Sequence, residues 1–86
     1  MPREHDGGTV TVRYWAGARA AAGVDQDVVA DCATVGDAVT AVARLRPALT
    51  PIAAVSTLLL DGRTVHRDTS LSQGDVVEVL PPFAGG

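Results

Sequence analysis

Leu71–Gly86 reads LSQGDVVEVLPPFAGG, and three signals follow one another along it. Ser72-Gln73-Gly74-Asp75 has the composition of a turn, with Asp75 serving it. Val76–Leu80 (VVEVL) is a β-branched run that predicts a strand, with Val77 and Val79 on one face and Leu80 on the other. Pro81-Pro82 then ends the pairing, because proline has no N–H to give to a ladder, and the chain leaves the sheet extended. Six residues, 81–86, reach roughly 20 Å from the body. Ala84, Gly85 and Gly86 carry almost no side chain, so this end can thread a narrow channel with its backbone close to the walls.

Working back from that strand, Thr9–Trp15 (TVTVRYW) alternates and places Val10, Val12 and Tyr14 on one face of a first strand. Ala16–Ala22 predicts a short helical turn closed by Gly23, and Gln26–Asp31 a second strand. Thr34 and Asp37 form the [ST]-x-x-[DE] pattern that caps a helix start. Behind the cap, Val35, Ala38, Val39, Val42 and Leu45 recur at three- and four-residue steps and form an apolar stripe. Pro47 and Pro51 end or interrupt that helix, and Leu49–Val55 reads as a linker or one more helical turn. Thr57–Leu60, Asp61-Gly62 and Arg63–His66 predict a hairpin, since a type I′ turn needs positive φ at both central residues. The periodicity supports a small α+β domain with the first and last strands central in a mixed sheet and one main helix across a face. Residues 1–8 read as a disordered leader, 9–80 as the domain and 81–86 as an extended tail.

Bulk properties narrow the function. Eighty-six residues make one domain, too small to enclose a deep active site. The net charge is −3, and all seven basic residues are arginines scattered along the chain, which argues against nucleic acid. One cysteine, Cys32, rules out an internal disulfide or an iron–sulfur cluster held by this chain alone. His5 and His66 stand too far from other ligands for a metal site. No signal peptide or membrane-length apolar run is present, so a cytoplasmic location is the expectation. There are no paired catalytic carboxylates, nucleophile–base pair or phosphate loop.

Val10–Gly23 (VTVRYWAGARAAAG) and Leu71–Gly86 together resemble the MoaD/ThiS sulfur carriers, small ubiquitin-like proteins. The first segment is similar to that family's opening strand, its aromatic–Ala step, an arginine (here Arg19) and a glycine. The second is similar to its Gly-Asp turn, final strand and PP-x-x-GG ending. The middle of the chain matches only in pattern, and Leu59-Leu60-Asp61 stands where many relatives have Val-Asn before the hairpin turn. The resemblance implies a β-grasp fold: a mixed sheet packed on one main helix.

It also implies a chemistry. An E1-like adenylating enzyme (MoeB type) spends ATP to make an acyl-adenylate of Gly86, because a carboxylate is a poor electrophile. A sulfur donor then converts it to a thiocarboxylate. Within the family, the small subunit of molybdopterin synthase delivers that sulfur to cyclic pyranopterin monophosphate in the active site of a large subunit (MoaE type). Gly86 is thus the carrier group, Ala84, Gly85 and Gly86 thread the partner's site, and no cofactor is bound. Leu80, Pro81, Pro82, Phe83 and Arg19 are candidates for the partner interface, Phe83 as an aromatic anchor and Arg19 through a salt bridge. Carriers for thiamine or cysteine synthesis share the loading chemistry, and a ubiquitin-like modifier joined to lysines of other proteins uses the same ending. Cys32 is expected to be a small, partly buried apolar residue, and Trp15 and Tyr14 to serve core and edge packing rather than a ligand platform.

Overall fold

Val10, Val12 and Tyr14 alternate along the first strand, β1 (Thr9–Tyr14), and all three are buried. The structure is a computed structural model and describes residues 8–82. Residues 1–7 of the predicted leader, with His5, and the predicted tail residues Phe83, Ala84, Gly85 and Gly86 lie outside the described residues.

After β1 come α1 (Ala16–Ala22), β2 (Gln26–Ala30), α2 (Val35–Leu45) and α3 (Leu49–Val55). β3 (Thr57–Leu60), β4 (Arg63–Thr64) and β5 (Val76–Leu80) complete the chain. The sheet order is β2-β1-β5-β3-β4. β1 and β5 run parallel in its middle, and the other neighbours pair antiparallel. This is the β-grasp arrangement, with the first and last strands central as their patterning predicts.

One face of the sheet carries the core. Val10, Val12, Tyr14, Leu58, Val77 and Val79 point into it and meet Ala18 and Ala22 of α1, Val35, Ala38, Val39 and Val42 of α2, and Leu49 and Ala53 of α3. α2 starts as its sequence dictates. The Thr34 hydroxyl accepts from the Asp37 N–H at 3.1 Å, and the Asp37 carboxylate accepts from the Thr34 N–H at 3.1 Å, a complete capping box. Gly36 in its first turn donates to the Arg67 carbonyl at 2.7 Å, and a Cβ there would stand 3.1 Å from that same oxygen. The loop thus lies against the helix start at a distance that favours glycine.

Asp61 (φ 54°) and Gly62 (φ 76°) both take positive φ, as the predicted hairpin turn requires. Strand pairing on the far side stops at Thr64 rather than His66, although the Val65 N–H still reaches the Leu58 carbonyl.

Three expectations need correction. Leu45 is 54% exposed, so the covered stripe of α2 stops at Val42. The chain turns just beyond, and Arg46 rather than Leu45 reaches the sheet, through Asp27. Pro51 does not interrupt a helix, and of the two readings of Leu49–Val55 the helical one holds, over seven residues. Pro51 is its third residue, where the missing N–H would have had no partner inside the helix. Trp15 does not pack in the core: it is exposed and sits on the opposite face from Tyr14.

Candidate functional site

The helices cover one face of the sheet and leave the other open. Thr11, Arg13, Val28, Val76, Glu78 and Leu80 alternate with the buried positions, so their side chains stand on the open face. Val28 is 60% exposed and Val76 39%. The in-register pairs Thr11–Val28, Thr11–Val76 and Arg13–Glu78 place these residues in rows across the strands. One row is β-branched and the next is charged.

Trp15 closes this face at the end where β5 finishes. Its backbone N–H donates to the Val79 carbonyl at 3.2 Å, and its indole N–H to the Glu78 carboxylate at 3.0 Å. The Arg13 guanidinium lies 5.2 Å from the ring centroid. Cation and anion thus hold the indole in place while leaving its ring partly in solvent. The sequence carried a signal for this: Trp15 has the parity of Arg13, not of Tyr14, so alternation alone puts it outside.

Leu80 is half-buried on the same open face, Pro81 is half-buried and Pro82 exposed, and all three lie where the chain leaves the sheet. The turn that aims β5 is well tied. The Asp75 N–H reaches the Ser72 carbonyl at 3.0 Å, its carboxylate accepts from the Ser72 N–H at 2.8 Å, and its carbonyl accepts from the Thr11 N–H. Asp75 therefore serves the turn. Leu80, Pro81, Pro82 and Trp15 form a continuous end of the molecule. Arg19 is not part of that row: it lies on α1 and makes a loose exposed pair with Asp25 at 3.7 Å, a contact of small energetic weight.

Beneath this end, the Tyr14 hydroxyl donates to the Asp27 carboxylate at 2.7 Å, and Arg46 grips the same carboxylate through Nε at 3.0 Å and Nη2 at 2.9 Å. Those hydrogen bonds from Arg46 hold the Asp27 carboxyl below its usual range, while burial and then Asp27 push the Tyr14 phenol well above its own. The group is a brace between β1, β2 and the end of α2.

Cys32 donates its thiol to the Ala30 carbonyl at 3.4 Å. Burial first, then the Asp37 and Asp31 carboxylates, raise its pKa. Such a thiol is poorly suited to nucleophilic work. Among the described residues no group of His, Cys, Asp and Glu is arranged to hold a metal, and no helix is long and apolar enough to cross a membrane. An open groove of about 360 Å³ lies between α2 and α3, but no residue of β5 or of the open face lines it.

Several solved structures share this fold. SAMP1 from Haloferax volcanii superposes with a TM-score of 0.80 at 26% identity, covering 92% of this chain and 100% of that one. A protein described as molybdopterin converting factor, subunit 1, from Pyrococcus furiosus gives 0.77 at 29% identity, covering 87% and 98%. A complex of subunits 1 and 2 of molybdopterin-converting factor from Helicobacter pylori contributes a chain at 0.69 and 22% identity, covering 91% and 99%. A search of curated proteins finds no match. The ThiS family model matches residues 12–86, nearly the whole domain and its ending, and the chain belongs to the ThiS family.

Proposed function

We propose that this protein is a cytoplasmic sulfur carrier, the small subunit of a molybdopterin synthase, that works through Gly86. The observation that carries the proposal is the end of β5: a central strand, braced on both sides, runs into Pro81-Pro82 beside the exposed Trp15 and the half-buried Leu80. A partner that docks on that end receives whatever chain follows it. The domain is residues 9–80 and the delivery arm 81–86.

An E1-like adenylating enzyme joins the Gly86 carboxylate to AMP, releasing pyrophosphate from ATP. The terminal sulfur of a donor persulfide then displaces AMP to give an acyl disulfide, and a second thiol attacks the donor's sulfur, releasing the thiocarboxylate and leaving a disulfide on the donor side. In the large synthase subunit the thiocarboxylate sulfur bonds to the pterin precursor, and water then cleaves the acyl–sulfur bond, leaving sulfur on the precursor and a carboxylate on Gly86. The catalytic acid–base groups belong to the partners, and this chain binds no cofactor. Ala84, Gly85 and Gly86 thread the active site, while Leu80, Pro81, Pro82, Phe83 and Trp15 make the contact outside it, with Arg19 at its margin. The Helicobacter pylori complex of subunits 1 and 2 supports a large-subunit partner for a chain of this shape.

Intact-mass measurement after incubation with ATP, the adenylating enzyme and a sulfur donor is expected to show one oxygen exchanged for sulfur at Gly86. An unchanged mass, where a known carrier is loaded, overturns the proposal. A chain loaded in this way but retained by a thiazole synthase and not by a large synthase subunit belongs to thiamine synthesis instead. The similarity to SAMP1 favours a second reading, attachment of Gly86 to lysines of other proteins. Its mark is high-mass conjugates in cells that vanish when Gly86 is deleted.

A further inference from the structure

The open face of the sheet is complementary to itself about the line between its two central strands. β1 and β5 lie side by side and parallel, with Thr11 registered on Val76 and Arg13 on Glu78. Consider a two-fold axis along these strands, midway between them and just above the face. It turns β1 of one copy onto β5 of the other, so every β1 residue comes to stand opposite the β5 residue it is registered with. Arg13 then faces Glu78 of the second copy, and Glu78 faces its Arg13. Thr11 meets Val76, and Trp15 meets Leu80 at the next row. A cation meets an anion, a β-branched pair meets its own partner, and Trp15 meets the apolar Leu80. An axis across the strands through the same row would instead set Arg13 on Arg13.

We infer that two copies of this chain pair through the open sheet face in a weak dimer about that axis. The size of the face sets its strength. Strands about 4.8 Å apart and same-face rows about 7 Å apart give a contact of roughly 20 by 20 Å. That is about half of the ~800 Å² per partner found in stable complexes, so the dimer is weak and exchanges rapidly. The net charge of −3 on each copy opposes it further at low salt. The dimer covers Trp15 and Leu80 (on the reading given above, the partner's landing site), so self-pairing and delivery exclude each other. The dimer then acts as a reserve that a tighter partner draws down. Only this consequence rests on the carrier reading; the pairing itself does not.

Sedimentation velocity of the full chain tests it. The weight-average sedimentation coefficient is expected to rise toward the dimer value between about 10 μM and about 1 mM, the range of a weak complex. R13E and E78R are each expected to stay monomeric over the same range, because each sets like charges opposite one another. An equimolar mixture of the two is expected to dimerise again, since every changed charge then faces its opposite. Thermal melts establish that both variants fold. Val76→Lys, which leaves the Arg13, Trp15 and Glu78 contacts untouched, is likewise expected to stay monomeric. A native chain that is monomeric at the top of the range overturns the inference. So does a dimer that survives the single charge changes, or a mixture that fails to restore it. Loading of Gly86 is measured separately, so the failure of either idea leaves the other standing.

Discussion

Asp27 receives three hydrogen bonds, one from Tyr14 and two from Arg46, and its titration is therefore written into the stability of the domain. The unfolded carboxyl titrates near its ordinary 3.8, and the folded one lower, so the unfolded chain binds more protons between the two values. The contribution is whole above about pH 4 and drains as pH falls through the folded value. Tyr14 runs the other way. Its ordinary pKa is 10.0 and the folded value lies above it. Its contribution is whole below about pH 10 and drains as pH rises through the folded value. Urea unfolding across pH is thus expected to show a plateau with a loss on each side. Tyr14→Phe is expected to cost about 1–3 kcal/mol at neutral pH, as for a hydrogen bond to a charged group, and to remove the alkaline limb. A second residue stores strain. Ala16 begins α1 at φ 47°, a left-handed value that a Cβ disfavours. Ala16→Gly is expected to raise stability by about 0.5–1 kcal/mol, read as a higher melting temperature.

At the scale of elements, the best-marked helix was legible from two residues. Thr34 and Asp37 are local chemistry, close in sequence and satisfied within one turn, and the structure forms both bonds of the box. Thr34→Ala is expected to cost about 1 kcal/mol by removing the hydroxyl from the Asp37 N–H, measured by chemical denaturation. The Asp61-Gly62 turn was legible for the same reason, as were the central strands from their alternation. What the sequence hid depends on tertiary context. A proline marks either the end of a helix or its first turn, and Pro51 turned out to be the latter. Leu45 keeps the spacing of the stripe, yet its exposure depends on where the chain turns after the helix. The brace of Tyr14, Asp27 and Arg46 joins residues from two strands and a helix end, and no local pattern announces it. Trp15 lay between these cases, since its parity was readable but an aromatic invites a core assignment.

For the whole molecule, the proposed function implies a division of labour between the sheet-and-helix scaffold and the chain that follows β5. The core runs from Val10 to Val79, and nothing beyond β5 contributes to it among the described residues. Stability and delivery are therefore separable by mutation. Deleting Gly86, or adding one residue after it, is expected to leave the melting temperature unchanged and abolish sulfur transfer, since either shift moves the reactive carboxylate. Trp15 separates a further pair of properties. Its ring is outside the core, so Trp15→Ala is expected to leave the fold intact. A hot-spot aromatic truncated in this way costs about 2 kcal/mol or more of binding, roughly 30-fold in affinity. Calorimetric titration against a large synthase subunit is expected to show that loss for Trp15→Ala and a smaller change for Gly86 deletion. Equal losses for the two variants would mean that the tail itself holds the partner. An unchanged affinity for Trp15→Ala would mean that the open face plays no part in docking. The predicted ordering follows from the proposed function, in which docking area is assigned to the sheet end and reactivity to Gly86.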